Sequence, residues 1–277
     1  MSASSWGTWL LDEVEATDSR GVDIWYLGCN GFIIKGADGT TLMIDPYLGT
    51  GDPPRTIRMI PVPFEPASVE SLDAMLLTHE HTDHTHGPSQ APILEGTGAR
   101  CYAPPTAHEK AMEAEAWPTR FDVAHEQISQ VTPGDKLEIG DFDISVIGVN
   151  DPDAVDPVGY VIEHPRGTIV HIGDARPSDE LRTVTESFDV DIAIAAFGTT
   201  GMIPNKQSGA LERTQWYSDA DDVIAIAQQL ECHRLIPTHW DMWKGLTADP
   251  RGLIDHARSF PHPRYVEILE IGDSTRV

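Results

Sequence analysis

The chain has few basic residues. Lysine and arginine together number 19, against 44 aspartate and glutamate residues, and the formal net charge over 277 residues is −25. Such a surface repels the phosphates of nucleic acids and the headgroups of anionic membranes. We therefore expect no nucleic acid and no membrane among its partners. The composition is typical of proteins from salt-loving microbes, and an ordinary acidic enzyme is the alternative.

Cysteines and long apolar runs are also scarce. The chain contains only Cys29, Cys101 and Cys232, an odd number without C-x-x-C spacing, so we expect no disulfide framework. No stretch approaches the ~18 apolar residues of a membrane span. The first residues lack the basic and apolar regions of a signal peptide. These absences favour a cytoplasmic location.

The strongest positive signal is a cluster of metal-binding side chains in residues 78–84, Thr-His-Glu-His-Thr-Asp-His. The apolar run 73–77 before it predicts a buried strand that ends at the cluster. His79 and His81 are two positions apart, so in extended backbone they point the same way and can bind one ion. Asp83 and His84 follow on the turn and can face a second ion. Imidazole with carboxylate suits zinc, manganese or iron.

Alternating strand and helix patterns surround this cluster and predict an α/β sandwich in a single domain, residues 1–277. A helix is expected over residues 7–16, with Trp9, Leu10 and Val14 on its covering face. Another is expected over 106–116, where Thr106 and Glu109 fit a capping box. Further strands are predicted over 22–35, 40–45, 100–103, 136–149, 158–163, 168–172 and 234–237, and a helix over 218–230.

A long irregular loop is expected over residues 49–66, which are rich in glycine and proline. Arg55 and Arg58 lie in this loop and are unusual in so acidic a chain. Two interpretations stand for them: they bind an anion of the substrate, or they form surface ion pairs.

The H-x-H-x-D-H spacing closely resembles the signature of the metallo-β-lactamase superfamily. The resemblance implies an αββα sandwich, two mixed β-sheets flanked by helices, with one or two divalent metal ions at the edge between the sheets. It also implies ligands later in the chain. Where the family carries a histidine after a strand, this chain has Asp151. A carboxylate there would shift the preference from zinc toward manganese or magnesium; a weak first site, or simple capping of the loop, is the alternative.

The same resemblance implies two further ligands. Asp174 matches the aspartate that bridges both cations, and His239 matches the last ligand of the second site. Asp241 either orients His239 through its other ring nitrogen or caps the following turn. The expected cofactor is thus one or two ions of Mn²⁺ or Zn²⁺.

Other stretches resemble one branch of the superfamily, the L-ascorbate-6-phosphate lactonases. They are residues 6–10, 25–31, 49–51 and 236–243, together with the metal motif. The resemblance implies attack of a metal-bound hydroxide on a lactone or ester of a sugar-phosphate-like small molecule, with Asp83 and His239 as catalytic residues and Asp83 as general base. It also suggests a homo-oligomer.

The segment 196–206 departs from the lactonases, which leaves the exact substrate open. Candidate substrate-binding residues are Asn30, Arg55, Lys206 and Asp241. Two alternatives to a lactonase remain: a phosphodiesterase or phospholipase of the same fold, and a metal-binding sensor without catalysis.

Overall fold

The computed structural model describes residues 4, 6–53, 56–204 and 208–277. Two seven-stranded β-sheets pack face to face, and helices cover the outer face of each. This is the predicted αββα sandwich. No helix in these ranges is long and apolar enough to cross a membrane.

The first sheet is formed mainly by the N-terminal half of the chain. Its last four strands run parallel, and its first strands form antiparallel hairpins. In spatial order the strands are β16 (Ser274–Arg276), β1 (Asp23–Gly28), β2 (Gly31–Lys35), β3 (Thr41–Ile44), β4 (Ala74–Leu76), β5 (Arg100–Ala103) and β6 (Ile128–Gln130).

The second sheet is formed by the C-terminal half. In spatial order its strands are β15 (Tyr265–Val266), β14 (Arg234–Thr238), β11 (Ile192–Ala196), β10 (Gly167–His171), β9 (Val158–His164), β8 (Phe142–Gly148) and β7 (Lys136–Ile139). A separate two-stranded sheet, β12 (Thr200–Pro204) and β13 (Leu211–Gln215), follows β11.

Seven α-helices flank the sheets in the described part of the chain. The first four pack against the first sheet and the last three against the second. They are α1 (Trp9–Ala16), α2 (Gly87–Thr97), α3 (Pro105–Glu109), α4 (Trp117–Arg120), α5 (Asp179–Val184), α6 (Ala220–Gln229) and α7 (Arg251–Ala257).

The strands form because apolar residues occupy both of their faces. Along β1, Ile24 and Tyr26 point into the core between the sheets, and Trp25 and Leu27 point into the core beneath the helices. Successive side chains of a strand face opposite ways, so a continuous apolar run supplies two cores at once. This explains why the strands are apolar throughout rather than alternating with polar residues.

Two sequence expectations about helices were wrong in detail. Trp9 is 53% exposed, so Leu10 and Val14, with the partly buried Leu11 beside them, cover the core from α1. The capping box at Thr106 does not form: α3 begins at Pro105, and the backbone N–H of Thr106 donates to the Asp156 carboxylate. A partner 50 residues away replaces the local cap, which no local pattern can predict.

The loop after β3 is irregular, as expected, and Arg58 holds it in place. Its guanidinium is buried and donates to backbone carbonyl oxygens. It therefore forms no surface ion pair with the described part of the chain, and its donors face the backbone and not a site for an anion. The acceptors are the carbonyls of Leu27 (3.3 Å), Tyr47 (2.7 Å), Gly49 (3.5 Å), Ile60 (3.1 Å) and Pro61 (2.8 Å). Arg58 therefore ties the loop to the end of β1. Arg55 lies outside the described residues.

Candidate metal centre

The candidate ligands lie at the carboxyl ends of strands that run in the same direction. β1 and β3 are both antiparallel to β2, and β3 is parallel to β4, so these three strands end at one edge of the first sheet. β8, β10 and β14 likewise end together in the second sheet. The two edges adjoin, and the loops after these six strands carry the cluster.

The first ligand group contains His79, His81, Asp151 and Asp174. One ligand atom from each lies within 4.8 Å of all the others. His79 Nε2 is 3.0 Å from His81 Nδ1, 3.8 Å from Asp151 Oδ2 and 3.9 Å from Asp174 Oδ2. The structure thus brings together the two histidines and the two later aspartates that the sequence predicted as ligands.

The second group contains Cys29, Asp83, His84 and His239. One ligand atom from each again lies within 4.8 Å of all the others. Asp174 lies between the two groups. Its Oδ1 is 2.9 Å from His239 Nε2, and its Oδ2 is 3.3 Å from His84 Nε2. One carboxylate therefore faces ligands of both groups, which is the position predicted for a bridging aspartate.

Outer partners fix the orientation of three of the histidines. His79 Nδ1 lies 3.0 Å from the Thr78 hydroxyl, and His81 Nε2 lies 3.1 Å from the Asp153 carbonyl oxygen. His84 Nδ1 lies 2.8 Å from Asp45 Oδ2. In each ring the other nitrogen faces the cluster. This arrangement is usual for metal-binding histidines, because the outer bond selects the tautomer that leaves a lone pair for the metal.

Burial and neighbouring charges shift the pKa values of the candidate ligands in both directions. Burial, followed by the charge of His84, lowers the pKa of His79 well below its usual value. Burial raises the pKa of Asp151 to about 6, and the Asp174 charge adds to that shift. Burial opposes ionisation of Asp174, yet His239 and His84 hold its pKa well below the usual range. Neutral imidazole and ionised carboxylate are the forms that bind metal, so the shifts of His79 and Asp174 favour binding. Burial opposes protonation of His84, yet the charges of Asp174 and Asp45 raise its pKa, so a cation would displace a proton there and at Asp151.

Unsatisfied buried atoms show that the residues fit metal ions. His84 Nε2 and Asp151 Oδ2 are buried and make no hydrogen bond. A buried polar atom without a partner is costly, on the order of 1–3 kcal/mol. Coordination of a cation would satisfy both atoms, and the imidazole and carboxylate donors are those that divalent transition metals prefer.

Sequence reasoning missed two side chains of the cluster, Cys29 and Tyr217. Cys29 Sγ is 3.6 Å from Asp83 Oδ2. The Tyr217 hydroxyl donates to the same carboxylate oxygen at 3.3 Å and its ring stacks on His239, with centroids 4.1 Å apart. The position of Cys29 at the end of β1 could have indicated it, because β1 runs in the direction of β3. Tyr217 follows β13 and carried no such signal.

Of the four predicted substrate-binding residues, the structure describes Asn30 and Asp241. Asn30 is fully buried, and its Oδ1 accepts from the Thr238 hydroxyl at 2.8 Å, whereas its Nδ2 makes no hydrogen bond. Burial raises the pKa of Asp241 to about 6. No hydrogen bond joins Asp241 to the ring of His239, whose nitrogens face Asp174 and Cys29. Lys206, like Arg55, lies outside the described residues.

Comparisons with known proteins agree with this geometry. The family model described as "Beta-lactamase superfamily domain" matches residues 40–240. A protein of Escherichia fergusonii named "Probable L-ascorbate-6-phosphate lactonase UlaG" is 25% identical over 292 residues, which cover 89% of this chain and 77% of that protein. The resemblance predicted from the motifs is therefore confirmed.

Solved structures share the fold at low sequence identity. Igni18, a metallo hydrolase from the archaeon Ignicoccus hospitalis, superposes with a TM-score of 0.67 at 18% identity, over 92% of this chain and 97% of that one. CmlA, a diiron β-hydroxylase from Streptomyces venezuelae, gives 0.67 at 16% identity, over 94% of this chain and 55% of that one. These likenesses establish the αββα architecture.

Proposed function

This chain belongs to the β-lactamase superfamily, and on that premise we propose that it is a metal-dependent hydrolase that opens a lactone or ester of a sugar-phosphate-like small molecule. The observation that carries the proposal is the convergence of two ligand groups on the single carboxylate of Asp174. The substrate class is supported by the relative named as an L-ascorbate-6-phosphate lactonase.

Two divalent cations would be held by the two ligand groups, with Asp174 between them. Such cations, when bound, lower the pKa of coordinated water toward about 7 and polarise a carbonyl oxygen. Both effects favour hydrolysis at neutral pH. The group of Asp151 combines two hard carboxylates with two imidazoles, which supports manganese or iron there.

Asp83 is the general base of the proposed reaction. Burial opposes its ionisation, but the charges of His84 and His239 lower its pKa, so the carboxylate stays ionised, which is the form that a general base needs, and Oδ2 is the oxygen that would accept the proton. The Tyr217 hydroxyl donates to that oxygen, and the Trp243 indole N–H donates in turn to the Tyr217 hydroxyl at 3.2 Å. This chain of donors fixes the direction in which Asp83 points.

His84 is held by a second chain of hydrogen bonds. Asp45 accepts from the Thr78 backbone N–H at 2.9 Å and from the Thr78 hydroxyl at 2.6 Å, and it contacts His84 Nδ1. All these groups are fully buried. Rigid support of this kind keeps the ligand atoms in position during turnover.

The proposal is tested by hydrolysis of a sugar-phosphate lactone by protein loaded with manganese or zinc. We expect turnover by the wild type. In His79→Ala and Asp83→Ala turnover should fall by more than about 100-fold, because the loss of a ligand should cost more than the loss of a residue that only orients a ligand, which costs roughly 10–100-fold. His125→Ala removes an exposed histidine outside both groups and should keep full activity.

Other outcomes would redirect the proposal. Metal-loaded protein that leaves the lactone intact but cleaves a chromogenic phosphodiester would be a phosphodiesterase. Protein that binds metal and hydrolyses neither would be a sensor. Unchanged turnover in Asp83→Ala, with the fold intact by circular dichroism, would exclude Asp83 as the general base.

A further inference from the structure

Cys29 is the feature of the cluster that the proposed hydrolase does not explain. It is fully buried at the turn between β1 and β2, and its backbone has a φ of 60°, a conformation that residues other than glycine rarely adopt. Its carbonyl oxygen accepts from the Tyr26 hydroxyl and from the His239 backbone N–H, each at 3.0 Å. Tyr26 and His239 thus hold Cys29 in this conformation.

The sulfur faces the ligand atoms of the second group. Sγ lies 3.6 Å from Asp83 Oδ2, and at the ring of His239 it lies 3.6 Å from Nδ1 and 3.8 Å from Nε2. Two ligands of one tetrahedral zinc ion, at about 2.3 Å for sulfur and about 2.0 Å for nitrogen or oxygen, are separated by about 3.5 Å. The observed separations are close to that value. His84 Nε2, buried and without a hydrogen bond, faces the same point.

We propose that Cys29 is a thiolate ligand of the second group, and that it makes this site select a softer cation than the first. The first group offers two imidazoles and two carboxylates and no sulfur, so it is the harder set of the two and suits manganese or iron. The second offers imidazoles, one carboxylate and a sulfur, which suits zinc or cobalt. The two sites of one chain therefore take different metals.

Binding is balanced by the release of one proton. As the metal–sulfur bond forms, the Sγ–H bond breaks and its proton passes to solvent, so the bound sulfur is a thiolate. The inference rests on the proposed function only in that both need metal in this cluster. It does not depend on which substrate is hydrolysed.

X-ray absorption spectroscopy of the zinc-loaded wild type tests the inference without any substitution. With one equivalent of zinc per chain, we expect one sulfur scatterer at about 2.3 Å from zinc in addition to nitrogen and oxygen; zinc in both sites would average this to half a sulfur per zinc. A zinc shell of nitrogen and oxygen alone would overturn the proposal. Hydrolysis is measured on the same sample: sulfur ligation without turnover would refute only the proposed function, and turnover without sulfur ligation would refute only this inference.

A matched pair of variants gives a second test. The cobalt-loaded wild type should show the near-ultraviolet charge-transfer band of thiolate bound to cobalt. Cys29→Ser should lose the band. Its affinity for zinc at one of the two sites should fall by more than the roughly 10–100-fold that the loss of a residue orienting a ligand costs. Cys232→Ser, a buried free cysteine outside both ligand groups, should keep the band. A band that persists in folded Cys29→Ser would contradict the proposal.

Discussion

His171 shows how a single buried histidine makes stability depend on pH. It lies at the end of β10, fully buried, where Nε2 donates to the Asn30 carbonyl oxygen (3.0 Å) and Nδ1 accepts from the Gly173 N–H (3.3 Å). Burial lowers the pKa of its imidazole. The folded protein therefore keeps His171 neutral at a pH where the unfolded chain already binds a proton.

The expected consequence is a loss of stability in acid. Because the unfolded imidazole titrates near pH ~6.5, the free energy of unfolding should fall as the pH drops below that value, by up to about 1.4 kcal/mol per pH unit from this residue. Urea unfolding of chelator-treated protein between pH ~7 and ~5 measures it. His171→Gln should show the shallower slope. The exposed His125→Gln is the control, and equal slopes in all three proteins would contradict the assignment.

At the scale of secondary structure, α6 shows how a local cap and a buried face act together. Asp219 accepts from the backbone N–H groups of Asp221 and Asp222, each at 3.1 Å, and so satisfies two of the unpaired donors at the helix start. The apolar face of α6 then packs on the second sheet through Val223, Ile224, Ile226 and Ala227.

Asp219→Ala should lower the free energy of unfolding by about 1 kcal/mol, since alanine cannot accept these hydrogen bonds. Asp219→Asn keeps an acceptor oxygen and should change it by only a few tenths of a kcal/mol. Urea denaturation of the three proteins distinguishes these values. If both variants lost the same stability, the negative charge beside the helix dipole, rather than the cap, would be the source.

For the whole molecule, the dominant physical feature is its net charge of −25. Repulsion among like charges destabilises a compact state, and added salt screens it. The Debye length shortens from about 30 Å at 0.01 M to about 3 Å at 1 M, so most of the screening occurs at low and moderate salt.

We therefore expect the urea midpoint of unfolding to rise steeply as KCl increases from about 0.01 M to about 0.3 M, and then to level off. A midpoint that is independent of salt would show that the repulsion is unimportant. A gain that appears only above about 1 M would instead indicate exclusion of salt from the surface, because screening is by then complete.

The sequence by itself determined the fold class and most of the candidate ligands. His79, His81, Asp83 and His84 lie within six positions, so their proximity is a property of the local chain. The later ligands Asp151, Asp174 and His239 were predicted because each follows an apolar strand in the order that the superfamily uses. The structure places these three residues beside the local cluster. Their roles as metal ligands stay predictions.

Only the tertiary structure decided which other side chains join the site. Cys29 and His239 are 210 residues apart in the chain, and Tyr217 and Asp83 are 134 apart. Arg58, which the sequence allowed as an anion-binding residue, was placed instead among backbone carbonyls. Such contacts depend on strand direction and on how two sheet edges meet. Local spacing encodes neither, because both follow from burying two apolar faces of the same strands at once.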